Sequence, residues 1–208
     1  MPRSTIESTV EQPRPRSARG EGDQLRTDLL DAAADLIAEH GSVDGISLRA
    51  IARRTGVSPT AVYRHFSDHT ELLQTAVRHC WDNFLRVLEH ACSGDGDAFD
   101  AFERCGVGYA DFALQYPGQY RVMFSHHIEI EAETSIVANS TFLILVDLVQ
   151  QMLLALDDGR STHIVAVQVH TWIHGIVGLS SAHPDVEWPP IHDQLLGLGE
   201  ALGLVRPS

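Results

Sequence analysis

At 208 residues and 44% hydrophobic side chains, the chain has room for one small and one larger helical domain over a shared core. Its formal charge of −13 is unevenly spread: residues 1–70 hold nine Arg against ten acidic residues, and the remainder six against eighteen, so the excess acid does not exclude an N-terminal nucleic-acid partner. No stretch reads as the roughly 18 uncharged apolar residues of a membrane span, and Pro2 to Gly22 lacks the apolar centre of a secretory signal, which implies a cytoplasmic protein.

Residues 1–22 carry Arg3, Arg14, Arg16 and Arg19 with three Pro and almost no large apolar side chains, the composition of a disordered arm. Glu7, Glu11 and Glu21 nearly cancel its charge, so a phosphate-seeking arm and a solvated tail both remain open. From Asp23 the spacing of Leu29, Ala33, Leu36 and Ile37 predicts a helix that Gly41 stops. Further helices are expected over Leu48–Thr55, Pro59–His65, and His69 to about Ala91, followed by a break at Ser93-Gly94-Asp95-Gly96. Beyond it the pattern predicts helices near Asp97–Gln115, Gly118–Phe124, Thr134–Leu156, Ser161–Ala182 and Pro190–Leu204, about nine in all and no strand. Glu129, Glu131 and Glu133 alternate with apolar residues and read as a solvated connector.

The segment Ser47 to Phe66 carries the chemistry. Ser47 suits an N-cap for a short helix with Leu48, Ile51 and Ala52 on one face; Gly56 supplies a left-handed turn; Ser58-Pro59 is an N-cap followed by proline at the first helical position. Two helices at a sharp angle follow, a helix-turn-helix whose second member enters the major groove. Thr60, Ala61, Tyr63 and Arg64 are the base-reading candidates: Thr60 and Ala61 suit a thymine methyl, Arg64 a guanine or a phosphate. Ser47, Ser58, Tyr63 and His65 are candidate phosphate clamps. A plain helical hairpin with Arg53, Arg54 and Arg64 solvated is the alternative. Asp68 and Glu71 have capping-box spacing at the next helix start.

Over about residues 24–72, ending in Tyr63-Arg-His-Phe66, the sequence resembles the TetR family. The resemblance implies an all-α protein with an N-terminal helix-turn-helix (23–70) and a C-terminal ligand-binding and dimerisation domain (71–208). It assigns Tyr63 and His65 to DNA, and marks one departure: His69 stands where the family usually has a phosphate-binding lysine, which would make binding sensitive to pH. Tyr116-Pro-Gly-Gln-Tyr-Arg-Val-Met-Phe124 and Trp172-Ile-His-Gly175 resemble C-terminal domains of the Trp-x-His-Gly type. What the resemblance implies is a ligand-responsive transcriptional regulator, a repressor by family habit, whose partners are a double-stranded, near-palindromic operator, an unknown small molecule and a second copy of itself.

Trp81, Phe84, Phe102, Tyr109, Phe112, Met123, Phe124 and Trp172, with His126 and His174 as polar anchors, are the ligand-pocket candidates; each also fits a plain core role. Dimer-interface candidates are Ile164, Val167, Gly175, Gly178 and Leu179, with Leu195 and Leu198 from the last helix. His170 and His174 share a helical face with His163 a heptad earlier, but no Cys or carboxylate completes a set, so neither a metal nor another cofactor is expected. Cys80, Cys92 and Cys105 form no CxxC pair and read as reduced thiols, with redox sensing as the alternative. A nucleophile elbow, a phosphate loop and a metal motif are all missing from the sequence, so an enzyme is not expected.

Overall fold

The computed structural model describes residues 21–125 and 132–207. Among them the chain forms nine helices and no strand: α1 Glu21–His40, α2 Leu48–Arg54, α3 Pro59–Val62, α4 His69–Cys92, α5 Ala98–Gln115, α6 Pro117–Phe124, α7 Ala132–Ala155, α8 Thr162–Ala182 and α9 Ile191–Ala201. The arm before Glu21, His126, His127, Glu129 and Glu131 lie outside the described residues.

The boundaries follow local chemistry. α1 stops where Gly41 takes φ 65°, its N–H bonded to the Ile37 carbonyl at 2.8 Å. Asp97 and Asp100 close a reciprocal capping box at the start of α5. Arg206 reaches back to both carboxylates, binding the C-terminal residues to that helix start and holding Asp97 down to about 2. Across the α4–α5 turn, Arg104 donates to the carbonyls of Ala91, Gly94 and Asp95, each at 3.0 Å.

α4 is the spine: it packs against α1, α5, α6 and α7. One hydrophobic cluster runs from Leu29 through Ile51, Phe66, Phe84 and Met152 to Leu204, so the N-terminal helices and the larger bundle share a core. The tightest joint lies between α1 and α6, where a Cβ on Gly118 would sit 2.3 Å from the Ala38 carbonyl oxygen and 2.6 Å from that of Ile37. Both are backbone atoms and cannot swing aside. Gly118→Ala is therefore expected to destabilise the fold by about 2–3 kcal/mol, read as a lower chemical-denaturation midpoint.

One expectation is overturned. Residues 133–155 and 162–182 are long and apolar enough to cross a membrane by length and composition, with α8 carrying no Asp, Glu, Lys or Arg at all. About a third or less of each apolar window is buried within the protomer, which leaves apolar faces of both helices uncovered. On α8 the buried side is Val165, Ala166, Val169, Ile173, Ile176 and Val177, and the opposite side holds Ile164, Val167, Trp172 and Leu179.

Candidate DNA-binding and ligand-binding sites

Two serines build the N-terminal site. Ser47 Oγ accepts the Ala50 N–H at 3.2 Å and Ser58 Oγ accepts the Ala61 N–H at 3.3 Å, starting α2 and α3 in succession. Gly56 between them takes φ 71°. Leu48, Ile51, Ala52 and Val62 are buried beneath, which turns the opposite side of the pair outward. There Thr60 and Arg64 are exposed, Tyr63 is 56% exposed and His65 is half-buried.

The details depart from the expected set in four places. α3 ends at Val62, and Arg64 and His65 continue on i→i−3 bonds to Ala61 and Val62, so the helix expected to reach His65 finishes as a tighter turn. Ala61 is only 7% exposed, packed inward, and cannot meet a thymine methyl without rearrangement. His69 Nε2 bonds the Ile46 carbonyl at 2.8 Å, anchoring the start of α4 to the α1–α2 loop and leaving only Nδ1 for any phosphate. Finally, Asp68 caps the Glu71 N–H at 2.9 Å as its spacing implies, but Glu71 Oε2 accepts the Ser67 N–H at 2.6 Å in place of the Asp68 N–H. Those bonds from Ser67 hold the Glu71 carboxyl below its ordinary range.

Of the nearby arginines, Arg54 is taken by Asp35 at 3.3 Å and Glu39 at 2.8 Å, and Arg26 lies 4.8 Å from the centroid of the Phe66 ring. Arg49 and Arg53 are exposed on α2 together with Arg64 beyond α3. Arg49 was not among the candidates, though its place opposite Leu48, Ile51 and Ala52 in the helical period is the signal that would have found it.

The second site lies inside the bundle. An enclosed chamber of about 30 Å³ is bounded by Phe84, Phe102 and Tyr109 among the expected residues, and by Cys105, Thr141, Phe142 and His170. A more open chamber of about 300 Å³ shares Thr141, Phe142 and His170 with it and adds Trp81, Phe124 and Asn139. The rings interlock edge to face: Phe84–Tyr109 and Trp81–Phe124 centroids are both 5.0 Å apart. Tyr109 Oη lies 2.8 Å from Tyr120 Oη, which in turn bonds His174 Nδ1; with that nitrogen unprotonated, protons point from Tyr109 to Tyr120 to His174. Burial pushes both phenols above their ordinary range.

Other candidates fall elsewhere. Phe112 and Met123 are buried packing residues on neither chamber wall, and Trp172, 43% exposed, faces outward on α8. Leu195 and Leu198 turn into the protomer core, Leu195 against Gly106, so they are unavailable to an interface; Leu196, 46% exposed, presents the apolar side of α9. Gly175 is half-buried and Gly178 exposed on α8, with open space where a Cβ would stand. Among the described residues no group of three His, Cys, Asp or Glu is placed to hold a metal. Sequence spacing gave no hint that Cys92 and Cys105, both free thiols, come near each other, while burial pushes Cys80 up to about 12.

Burial also lowers the pKa of His170, helped by the neighbouring His174, and that of His174 itself. The folded state thus prefers neutral rings while the unfolded chain binds protons below about pH 6.5. Stability from this pair is complete above that pH and declines as pH falls toward the lower folded values. The melting temperature is expected to drop on acidification from about pH 7.5 to 5.5, and to drop less in His170→Phe, which keeps the ring packing without the titration.

Two family models cover this architecture. Residues 29–76 match the model for bacterial regulatory proteins of the tetR family, and residues 102–197 match the tetracyclin repressor-like C-terminal domain. The chain belongs to the TetR family. Among curated relatives, the uncharacterized HTH-type transcriptional regulator YobS of Bacillus subtilis is 31% identical over 93 residues, 44% of this chain and 47% of that protein. The chain spans from about a quarter to about half the length of the curated relatives it matches. A Rhodococcus sp. RHA1 protein of unknown function shares the fold with a TM-score of 0.74 at 24% identity, covering 92% of this chain and 97% of that one. The transcriptional regulator FadR of Bacillus subtilis, solved with stearoyl-CoA, has a TM-score of 0.69 at 14% identity over 85% of this chain and 96% of that one.

Proposed function

We propose that this TetR-family chain is a cytoplasmic, non-enzymatic, one-component regulator: a homodimer that represses transcription from a near-palindromic operator and is released by a small molecule. The observation that carries the reading is the pair of serine-capped helices with a buried inner side and an outer side of Thr60, Tyr63 and Arg64, flanked by Arg49 and Arg53. That arrangement presents hydrogen-bonding and cationic groups along the outer side of α2, α3 and the turn that follows, as groove insertion requires. Residues 23–70 form the DNA-binding part and 71–208 the sensing and dimerising part, of the Trp-x-His-Gly subtype.

The uncovered apolar side of α8, joined by Leu196 of α9, supports the homodimer, since a two-fold pairing of these helices buries it. Such a dimer sets two reading heads about 34–36 Å apart, one turn of the duplex. α4 links the heads to the aromatic chambers, running from the His69–Ile46 bond to Trp81 and Phe84. A ligand that binds the chambers better when the heads are wrongly spaced lowers operator affinity by that difference.

Fluorescence anisotropy with DNA flanking the chain's own gene tests the reading. A sequence-specific complex with Kd of about 10⁻⁸ M or tighter, weakening steeply with salt, is expected. Binding that ignores sequence, there and on competitor fragments, contradicts it.

A further inference from the structure

Phe112 packs against Phe84 of the inner chamber, ring centroids 4.9 Å apart, and also borders a separate cleft of about 520 Å³ that shares no lining residue with either chamber. One wall is α1, with Asp31 and Asp35 a helical turn apart and Ala34 between them; the other is α4, with Asn83, Arg86, Val87 and His90 at helical spacing. Phe112, Tyr116 and Gln119 complete it from the corner between α5 and α6.

The two walls carry opposite charge. On α1, Asp31 Oδ1 is bonded to His79 Nε2 at 2.7 Å and Asp35 Oδ2 lies 3.3 Å from Arg54, so each carboxylate keeps its other oxygen without a donor among the described residues. On α4, Arg86 donates to the Asn83 side-chain oxygen, a neutral partner that leaves the guanidinium its positive charge and further donors.

A second observation concerns Gln119. It is 5% exposed, and its Nε2 donates to the Ala34 carbonyl at 3.1 Å, which fixes the amide and sets it on the α1 side of the cleft. Its Oε1 accepts no bond among the described residues and is not sealed from solvent. A nearly buried acceptor on the same side as two carboxylates suits a positively charged N–H donor.

We infer that this cleft is a second ligand site, which takes a small zwitterion with an aromatic body, of the size and charge of an aromatic amino acid. The ammonium group meets Asp31, Asp35 and Gln119 Oε1, and the carboxylate meets Arg86, whose planar fork suits it. The body lies on Phe112 and Tyr116, ring centroids 5.3 Å apart, and on Val87. A ligand of one charge answers one wall and is repelled by the other. At about 520 Å³ the cleft is within the range of small-molecule sites. The site stands whether or not the chambers hold the effector, because it shares no residue with them.

The test is calorimetric titration of the full chain at about pH 7.5 with phenylalanine, tryptophan, glycine, 2-phenylethylamine and 3-phenylpropanoate. At least one aromatic amino acid is expected to bind about tenfold or more tighter than the amine, the acid and glycine, which lack in turn the carboxylate, the ammonium and the ring. Arg86 is exposed, so Arg86→Gln leaves the core alone. In that variant the aromatic amino acid is expected to fall to the affinity of the amine, and the amine to bind no more weakly than before. No binding by either aromatic amino acid overturns the inference, as does any of the three simpler probes binding as tightly, or a ranking unchanged in Arg86→Gln; the wild-type ranking decides it even if the variant fails to fold.

Discussion

Replacing Tyr63 and Arg64 together by alanine is expected to lower affinity for specific DNA about 100- to 1000-fold while leaving the melting temperature within a degree or two of the parent. Both side chains project from the turn that follows α3, exposed, with Val62 and Phe66 on the buried side holding the backbone beneath them. Neither contributes to the core, so truncation removes contacts to DNA and little else. Arg64 brings five fixed donors to a base edge or a phosphate, worth about 1–3 kcal/mol, and Tyr63 adds a hydroxyl and a ring of comparable reach. Anisotropy against the specific fragment and circular dichroism on the same sample check both halves of the expectation. A loss of less than about threefold, with the fold unchanged, would move the reading surface elsewhere, most directly to Arg49 and Arg53 on α2.

The second large effect is expected from Leu179→Arg. Leu179 is 51% exposed on the uncharged side of α8, along with Ile164 at 60% and Trp172. A two-fold contact brings this position into the interface twice, so the substitution places two guanidinium groups in apolar surroundings with no acid on α8 to meet them. The protomer itself loses nothing, since its core side is Val165, Ala166, Val169 and Ile173. Light scattering is expected to change from a dimer to a monomer mass. Operator affinity falls by about 100-fold or more, because each half-site then binds without the effective concentration that linkage gives its twin. A variant that stays dimeric places the two-fold contact on another surface, the exposed Ile136, Leu143 and Leu154 of α7 being the next apolar choice.

How much of this was legible in the sequence depends on the kind of signal. Caps gave the starts of α2, α3, α4 and α5 almost to the residue, because Ser47, Ser58, Asp68 and Asp97 act on backbone within three or four positions of themselves, while the ends of α3 and α9 fall three residues short of those expected. The helix-turn-helix was readable for the same reason. Which side of a helix faces inward was harder where polarity did not alternate. α8 is uncharged all round, so its period could not say that Trp172 points out while Ile173 points in. On α9 the cluster Leu195, Leu196 and Leu198 offered two directions, and contact with Gly106 on α5 decided between them.

Functional detail that depends on distant partners was out of reach. His69 reads as a substitute for a phosphate-binding residue until its bond to Ile46, 23 positions away, is seen. Thr141 and Phe142 enter the chamber walls only because α7 packs beside α4 and α5, and no local pattern marks them. The approach of Cys92 to Cys105 arises from the α4–α5 turn that Arg104 holds closed.

Whether this chain reads DNA as a two-fold dimer through the outer side of α2 and α3 is settled by selection from a random duplex library with the purified protein, followed by sequencing of the bound fraction. Enrichment of an inverted repeat whose half-sites lie about 10 base pairs or a small multiple apart is expected, as is loss of that enrichment in the Tyr63→Ala, Arg64→Ala double variant. A bound pool with no shared sequence, or a motif retained unchanged by the double variant, would contradict it.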